Sequence, residues 1–421
     1  MTSTYDHDVA YPSPRTDLRG LLEKVEAASP IDAVEVVADE LAAMVGAHTV
    51  RFLIADLSGR TVVRFGELAP GVAAVQLEGA EDAVAVKLAG TVYARVLRTQ
   101  RVDVRQTGEG SLLTVPVTDR GEAIGLLELT LPQVPDEQVV ADIAAAAHAL
   151  AYVVVANRRH TDLFEWGQRT THFTLAAEIQ RRLLPSSYTC EAGQFTIAGW
   201  LEPASSVGGD TFDYSLDRDA LQISITDAAG HEVAAALLAT VLVGSLRNER
   251  RRGADLGAQA RNANNALFAH SPAGQFVTGQ LLRVDLHTGD AFIVNAGHPF
   301  PLRLRQGRVE EIELDIDLPF GLEPGRSFRL QQFPLQTGDR IVFVTDGMLE
   351  RNAERLDVAE TLGRSRNMHP RELVHALGAA VLRATGGDLR DDATIVCLDW
   401  HGGPPRRRAS ASGADLLHLD P

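Results

Sequence analysis

The spacing of apolar residues changes along the first part of the chain. From Asp17 the apolar residues recur every three or four positions, which predicts two amphipathic helices. A strict alternation follows, which is typical of strands joined by tight turns. The predicted elements after the helices are a hairpin, a short helix and two more strands, at residues 50–55 with 61–65, 90–97, 112–117 and 123–131. This order predicts a mixed α/β domain over residues 17–158.

The middle of the chain, residues 135–184, is mostly helical in pattern. Close to its end Leu175, Ile179 and Leu183 repeat at a spacing of four, and such a stripe packs against a neighbouring domain or a second copy of the protein. Pro185 cannot continue a helix. The sequence therefore predicts a helical linker over residues 159–185.

After Pro185 the pattern changes to short strands interrupted by glycine turns. The predicted strands are residues 195–200, 221–226, 276–284, 291–295, 302–304, 340–344 and 394–398, and the predicted helices are residues 232–252, 256–269 and 370–383. Runs of strands with helices inserted as a block predict an α+β sandwich over residues 186–401. Residues 1–16 and 402–421 have the composition of disordered tails.

Composition and charge narrow the functional classes. A formal net charge of -16 argues against nucleic acid or an anionic membrane as the main partner. The two cysteines, Cys190 and Cys397, have no metal-binding or disulfide-framework spacing. The N-terminus does not resemble a secretory signal, and the longest apolar stretch, residues 143–156, is shorter than the roughly 20 residues of a membrane span. We therefore expect a cytoplasmic protein.

Acidic residues lie at the ends of several predicted strands, at Asp210, Asp227, Asp346 and the pair Asp391-Asp392. Each one alone also fits a turn residue or a helix cap. Together they form a set of hard oxygen donors of the kind that binds Mg²⁺ or Mn²⁺, and the carbonyl of Ala228 could add a further oxygen. Gathered carboxylates repel one another without a cation, and a two-ion site of this kind suits phosphoester hydrolysis. We therefore expect Asp210, Asp227, Asp346 and Asp391 to be catalytic metal ligands.

The first domain resembles a GAF domain. The resemblance rests on the stretches GTVYARVLRTQ and LLTVPVTDRGEAIGLLEL, and it covers roughly residues 20–158. It implies a sensory or dimerising module. No chromophore cysteine or metal cluster is evident in it, so its ligand stays open.

The second domain resembles the SpoIIE/RsbU-type branch of the metal-dependent protein phosphatases over about residues 174–401. The motifs that carry the resemblance are EIQRRLLP, VGGDTFDY, TDAAGHEVAAALLATV, FVTGQLLRVDLHTGD, VNAGHPFPLRLR, LPFGL, GDRIVFVTDGMLE and GGDLRDDATIVCLDW. It implies a type 2C phosphatase sandwich of two antiparallel sheets flanked by helices. It also implies that Asp210, Asp227, Asp346 and Asp391, with the Ala228 carbonyl, bind two Mn²⁺ or Mg²⁺ ions. The implied substrate is a phosphoserine or phosphothreonine on an anti-sigma-factor antagonist. Separately, the apolar stripe in residues 135–184 predicts a homodimer through the linker helix and the GAF-like domain.

Some residues depart from that pattern or stay open. Ala228 and Glu232 stand where glycine is common in the family, which leaves the geometry of this loop open. His231 fits a proton donor or a structural residue at a helix end, and His298 is expected to fix a turn. The arginines at 247 and 250–252 are expected at a solvated helix end, where they complement the helix dipole.

Two rival functions are compatible with the same residues. One is a regulatory binding protein that keeps the phosphatase fold with little turnover. The other is a phosphatase of small molecules, because carboxylates that act on phosphorus do not reveal what carries the phosphate.

Overall fold

The computed structural model of the chain consists of two compact units. One unit contains Met1–Thr171 with Ala411–Ala414, and the other His172–Ser410 with Asp415–Pro421. The residues that the structure describes are 18–65, 75–77, 83–108, 110–170, 174–203, 208–272, 274–349, 357–387, 389–403, 408, 410 and 413–415. The predicted N-terminal tail, residues 1–16, lies outside them.

The N-terminal unit is built on one antiparallel sheet with helices on both faces. Its helices are α1 (Leu18–Ala27), α2 (Ala33–Val45), α3 (Val92–Thr99), α4 (Glu137–Asn157) and α5 (Leu163–Gly167). Its strands are β1 (Thr49–Ala55), β2 (Thr61–Phe65), β3 (Val75–Leu77), β4 (Ala83–Lys87), β5 (Asp103–Thr107), β6 (Gly110–Asp119) and β7 (Glu122–Leu131). They are ordered β3-β4-β2-β1-β7-β6-β5. These elements confirm the helices, the hairpin and the strand pair expected from the apolar spacing.

Alternation along each strand decides which helix covers which face of this sheet. In β1, Phe52 and Ile54 point into the core that includes α2 and α4, whereas Leu53 points into a smaller cluster with α3. The predicted turn between β6 and β7 has positive φ at both central residues, 45° at Arg120 and 81° at Gly121, as a type I′ turn requires. The sheet is compatible with a GAF-like domain, and that assignment stays a prediction.

Helix α4 is longer than the apolar stretch from which it was predicted. By length and composition alone it could cross a membrane. However, Ile143, Ala147 and Leu150 on α4 are fully buried in the core of the N-terminal sheet. These residues form one buried face of α4, and 39% of its most apolar 18-residue window is buried inside the structure.

The C-terminal unit is a four-layer sandwich. Its helices are α6 (Leu175–Leu183), α7 (Glu232–Arg251), α8 (Leu256–His270), α9 (Val358–Arg364) and α10 (Pro370–Thr385). Its strands are β8 (Thr189–Glu191), β9 (Phe195–Glu202), β10 (Asp210–Leu216), β11 (Ala220–Ala228), β12 (Val277–Asp285), β13 (Asp290–Ala296), β14 (Leu302–Arg305), β15 (Arg308–Glu311), β16 (Gln331–Pro334), β17 (Asp339–Val344) and β18 (Ala393–Trp400). They form two sheets, ordered β10-β11-β12-β13-β16 and β15-β14-β17-β18-β9-β8.

The central strand β17 shows how the layers are held together. Ile341 and Phe343 point into the core between the two sheets, whereas Val342 and Val344 point into the core that α9 and α10 cover. Helices α7 and α8 cover the outer face of the five-stranded sheet through a third core. The predicted type 2C sandwich, helix on sheet on sheet on helix, is therefore confirmed.

Several features differ from the prediction, and strands β3, β4, β5, β8, β10, β15 and β16 and helix α9 were not predicted. The units divide between Thr171 and His172, not at Pro185, because α6 packs on α7 and buries Leu183 in the C-terminal unit. Strand β10 was not predicted, because its run of apolar residues is too short to be recognised as a strand. In the predicted C-terminal tail, the described residue Arg408 contacts the buried carboxylate of Glu191.

Candidate active site

The predicted site residues lie at strand ends in both sheets. Asp210, the first residue of β10, is directly opposite Asp227 of β11. Asp346 follows β17 and Asp391 precedes β18, and these two strands are neighbours in the other sheet. Ala228, whose carbonyl was predicted as a ligand, is the last residue of β11. The structure thus brings all of these residues to the end of the sandwich where the two strand pairs meet.

Glycine allows the backbones to approach closely at this end. A Cβ atom at Gly347 would lie 2.0 Å from the carbonyl oxygen of Asp392. A Cβ atom at Gly209 would lie 2.6 Å from the carbonyl oxygen of Ala228. Both distances are far below van der Waals contact, so no larger residue fits at either position. The glycines beside Asp346 and Asp210 therefore serve the close approach that the sequence predicted.

Asp210 is the most deeply buried of the four predicted ligands, at 1% exposure. The hydroxyl of Thr345 donates a hydrogen bond of 2.7 Å to its Oδ2 atom, and the hydroxyl of Thr394 donates one of 2.6 Å to the same atom. Asp210 belongs to the five-stranded sheet and both threonines belong to the end of the other sheet. These hydrogen bonds therefore connect the sheets at the site.

Asp392, next to the predicted ligand Asp391, has a different environment. Its Oδ2 atom accepts hydrogen bonds from the backbone N–H groups of Gly209 (3.0 Å) and Asp210 (3.3 Å). The side-chain amide of Gln180 on α6 donates to the same atom at 2.6 Å and to the Asp210 carbonyl at 2.8 Å. The side chain of Asp392 therefore anchors the start of β10 and the helix α6.

Sequence reasoning missed the roles of Gln180, Thr345 and Thr394. The threonines could have been suspected, because each lies within three residues of a predicted ligand, in TDG and in DDAT. Gln180 lies between members of the leucine stripe of α6 and carried no signal of its own. Only the register of α6 against β10 reveals it.

Burial and like charge disfavour the ionised forms of two of these carboxylates. Burial, followed by the negative charges of Asp227 and Asp392, raises the pKa of Asp210 well above its usual range. Burial, followed by the charges of Asp346, Asp391 and Asp392, raises the pKa of Asp227 to about 7. This mutual repulsion shows that the carboxylates interact with one another, as a site for divalent cations requires.

The residues present fit divalent ions of the Mg²⁺ or Mn²⁺ type. The donors are carboxylate and carbonyl oxygens, which such ions prefer. Among the described residues, no three acidic, histidine or cysteine side chains are arranged to hold an ion as they stand. The four aspartates nonetheless lie at one end of the two sheets, where the negative charges of Asp346 and Asp391 act on Asp227.

The two histidines near the site differ in accessibility. His231 is exposed and precedes α7 without a capping hydrogen bond from its side chain. His298 is buried, and Asn295 holds its turn by accepting from the His298 backbone N–H at 2.8 Å and donating to its carbonyl at 3.0 Å. Burial lowers the pKa of His298 to about 3. The contacts of His298 agree with the turn-fixing role expected of it, and its neutral ring is no proton donor at neutral pH.

The arginine cluster on α7 is not simply a solvated helix end, as the sequence predicted. Arg247 and Arg250 both pair with the buried Asp213 of β10. Arg247 also donates to the carbonyl of Leu183 at the end of α6. Only Arg251 and Arg252 are exposed. The expectation was wrong for two arginines because β10, which brings Asp213 to α7, was not predicted.

The loop that departs from the family pattern adopts an unusual backbone conformation. Gly230 has a φ of 114°, and Glu232 has a φ of 57° at the start of α7. Positive φ is the region that favours glycine. The glutamate therefore occupies a position where the backbone itself would prefer glycine.

A helix-sheet-sheet-helix sandwich with carboxylates gathered at one end of both sheets is the architecture of PP2C-type serine/threonine phosphatases. The family model described as "Stage II sporulation protein E (SpoIIE)" matches residues 217–401. Residues 217–401 of the C-terminal unit thus match the SpoIIE family of PP2C-type phosphatase domains. Asp227, Asp346 and Asp391 lie within the matched range, and Asp210 lies just before it.

Individual relatives are distant. The chain is 22% identical over 234 residues to "Phosphoserine phosphatase RsbU" of Bacillus subtilis (strain 168), an alignment that covers 53% of this chain and 68% of that protein. The structure of the RsbU and RsbW domains of Rv1364c from Mycobacterium tuberculosis is similar with a TM-score of 0.45 and 24% identity. This similarity covers 52% of this chain and 63% of that one. The PP2C domain of SpoIIE from Bacillus subtilis, with a fragment of its regulatory domain, has a TM-score of 0.43 and 18% identity, over 50% of this chain and 65% of that one.

Proposed function

We propose that this chain is a metal-dependent phosphatase that removes phosphate from phosphoserine or phosphothreonine on a regulatory protein of the anti-sigma-factor-antagonist type. The observation that carries the proposal is the gathering of Asp210, Asp227, Asp346 and Asp391 at one end of both sheets. The name of the relative RsbU, a phosphoserine phosphatase, supports the substrate class.

The four aspartates and the carbonyl of Ala228 are the groups that would hold two Mn²⁺ or Mg²⁺ ions. Such ions, when bound, make water a better nucleophile at neutral pH and neutralise charge on the phosphate. The aspartates themselves differ in exposure, and we propose that their roles differ accordingly. Asp346 is exposed and lies where a phosphoester can reach it, whereas Asp210 is buried and orients the site from the protein side.

The N-terminal unit is proposed to regulate this activity, as a GAF-like module in a cytoplasmic protein. We further propose a homodimer. Tyr152 on α4 is 50% exposed and Leu175 at the start of α6 is 65% exposed, which leaves apolar surface for a second copy. Light scattering at micromolar concentration should give the mass of a dimer, and a monomeric mass would refute this assembly.

The decisive experiment is the release of phosphate from a phosphorylated anti-sigma-factor antagonist, with Mn²⁺ and with a chelator. We expect release with Mn²⁺ that is lost in Asp346→Ala. The matched control is Asp219→Ala, because Asp219 is an exposed aspartate whose contact is His287, at the turn between β10 and β11. Equal release by wild type and Asp346→Ala would refute the proposal, and release from p-nitrophenyl phosphate alone would indicate a small-molecule phosphatase.

One observation favours the rival function, a regulatory binding protein with little turnover. Among the described residues no three side chains stand ready to hold an ion. Calorimetry with Mn²⁺ separates the two functions. A chain that binds the partner protein but not Mn²⁺ would be the binding protein, and a chain that binds both supports the phosphatase.

A further inference from the structure

Two threonine hydroxyls meet at one oxygen atom of the buried carboxylate of Asp210. Thr345 and Thr394 are both fully buried, and both donate to Oδ2, at 2.7 and 2.6 Å. The hydroxyl oxygen of Thr345 also accepts a hydrogen bond of 3.0 Å from the backbone N–H of Thr394. The three residues therefore form a closed network between β10 and the ends of β17 and β18.

The direction of the hydrogen bonds follows from the number of protons available. A hydroxyl has one proton, and Thr345 uses its oxygen to accept from the Thr394 backbone, so its proton is free for Asp210. Both hydroxyls can therefore donate to the same carboxylate oxygen of Asp210 at the same time.

The same contacts restrict how the carboxylate can turn. Both hydroxyls contact Oδ2 and neither contacts Oδ1. Threonine is β-branched and stiff about its first side-chain torsion, so two buried threonines hold their acceptor in one orientation. The Asp392 side chain fixes the backbone of the same residue through the Asp210 N–H. Asp210 is thus held at its backbone and at one carboxylate oxygen.

We infer that Thr345 and Thr394 are positioning residues that hold the carboxylate of Asp210 in one orientation at the end of the two sheets, and that they thereby set the affinity of the site for divalent metal. The inference rests on the proposed function, because it concerns the metal site of the phosphatase. Neither threonine contacts the substrate. Their role is exerted through Asp210 alone.

The test is Mn²⁺ titration by calorimetry of the full chain and of Thr345→Val and Thr394→Val, which keep the side-chain shape and remove the hydroxyl. Loss of a hydrogen-bond partner of a metal ligand lowers metal affinity by roughly 10- to 100-fold in known sites, and we expect about tenfold for each variant. Thr345→Ser and Thr394→Ser keep the hydroxyl and should stay within about threefold of wild type. In the phosphatase assay, saturating Mn²⁺ should restore the rate of the valine variants, which a general structural defect would not allow.

The matched control is Thr226→Val. Thr226 is buried in β11, and its hydroxyl hydrogen-bonds to that of Thr211 at 2.6 Å, without touching Asp210. It should leave Mn²⁺ affinity unchanged. Where a valine variant does not fold, the alanine variant of the same position replaces it, with the same expected loss.

The outcomes separate the inference from the proposed function. Wild type that binds Mn²⁺ together with valine variants that bind it equally well would overturn the inference and leave the phosphatase intact. An equal loss of affinity in Thr226→Val would also overturn it, because any buried hydroxyl would then suffice. Wild type that binds no Mn²⁺ would overturn both.

Discussion

Replacement of Glu232 tests whether the start of α7 is strained as its backbone indicates. The residue has a φ of 57° and is exposed, so a substitution there removes little packing. A left-handed conformation costs a non-glycine residue about 1–2 kcal/mol. Glycine lacks this cost but loses about 0.4–1 kcal/mol more backbone entropy on folding. We therefore expect Glu232→Gly to be roughly 0.5–1 kcal/mol more stable than Glu232→Ala.

The comparison of glycine with alanine removes the other effects of the glutamate. Both variants lose the favourable interaction of a carboxylate with the helix N-terminus, about 0.3–1 kcal/mol, so that contribution cancels. In an ordinary helical position the order is reversed, because glycine is about 1 kcal/mol less favourable than alanine. Arg261, exposed within α8, provides that ordinary position as a control.

The assay is urea unfolding of the full chain, followed by circular dichroism, for the glycine and alanine variants at both positions. The glycine variant should have the higher midpoint at 232 and the lower midpoint at 261. If alanine is the more stable residue at both positions, Glu232 is not strained and the reasoning from its φ is refuted.

Three further predictions concern buried charges. Arg340 is 4% exposed and donates to both carboxylate oxygens of Asp399, so Arg340→Ala should lower the free energy of unfolding in urea by about 3–5 kcal/mol. The control is Arg364→Ala, at an arginine that is 77% exposed and pairs with Glu360, where we expect a loss under about 1 kcal/mol, and equal losses would contradict this. Burial raises the pKa of Glu191, but His369 and Arg408 outweigh burial and hold that pKa below its usual value. The resulting stabilisation is present above the unfolded-state pKa and is lost as pH falls through the folded-state pKa. Arg408→Ala should therefore destabilise the protein at pH 7 and much less in acid, and a loss of stability that is independent of pH would refute the linkage. Burial lowers the pKa of His298 from 6.5 to about 3, so the folded protein keeps this imidazole neutral where the unfolded chain would protonate it. The free energy of unfolding should therefore decline by about 2 kcal/mol between pH 7.5 and 5. A His298→Gln variant should lack this decline in the same titration.

The sequence predicted the strand ends at the candidate site better than it predicted the contacts around them. Strand ends are visible in sequence because an apolar run stops at a polar residue, and this located Asp227 and Asp346. Strand β10 has few apolar residues, so its pairing with β11 could not be read from the pattern. The ion pairs of Asp213 with Arg247 and Arg250 depend on that pairing, and the prediction for these arginines failed for the same reason.

The domain boundary was displaced by a similar ambiguity. The stripe of Leu175, Ile179 and Leu183 indicates that α6 packs against something, but an apolar stripe does not identify its partner. In the structure the partner is α7 of the same unit, and Leu183 is buried there. Leu175 is exposed, so only part of the stripe is used within the chain. The spacing of four residues alone cannot show that Leu183 is buried against α7 while Leu175 is exposed.

The adjacent aspartates 391 and 392 show why the type of residue and its spacing are insufficient at a site of this kind. Successive residues that enter a strand point to opposite sides, so two neighbouring carboxylates cannot do the same work. Asp392 is 1% exposed and points inward, where its Oδ2 atom accepts from the backbone of Gly209 and Asp210. Asp391 is only half-buried, and its charge acts on Asp227. Which of the two carboxylates anchors β10 depends on the register of β18 against β17, and a chain shifted by one residue would exchange their positions. The role of Asp392 as the anchor therefore follows from strand pairing and not from composition, and Asp391 stays the residue that is predicted to bind metal.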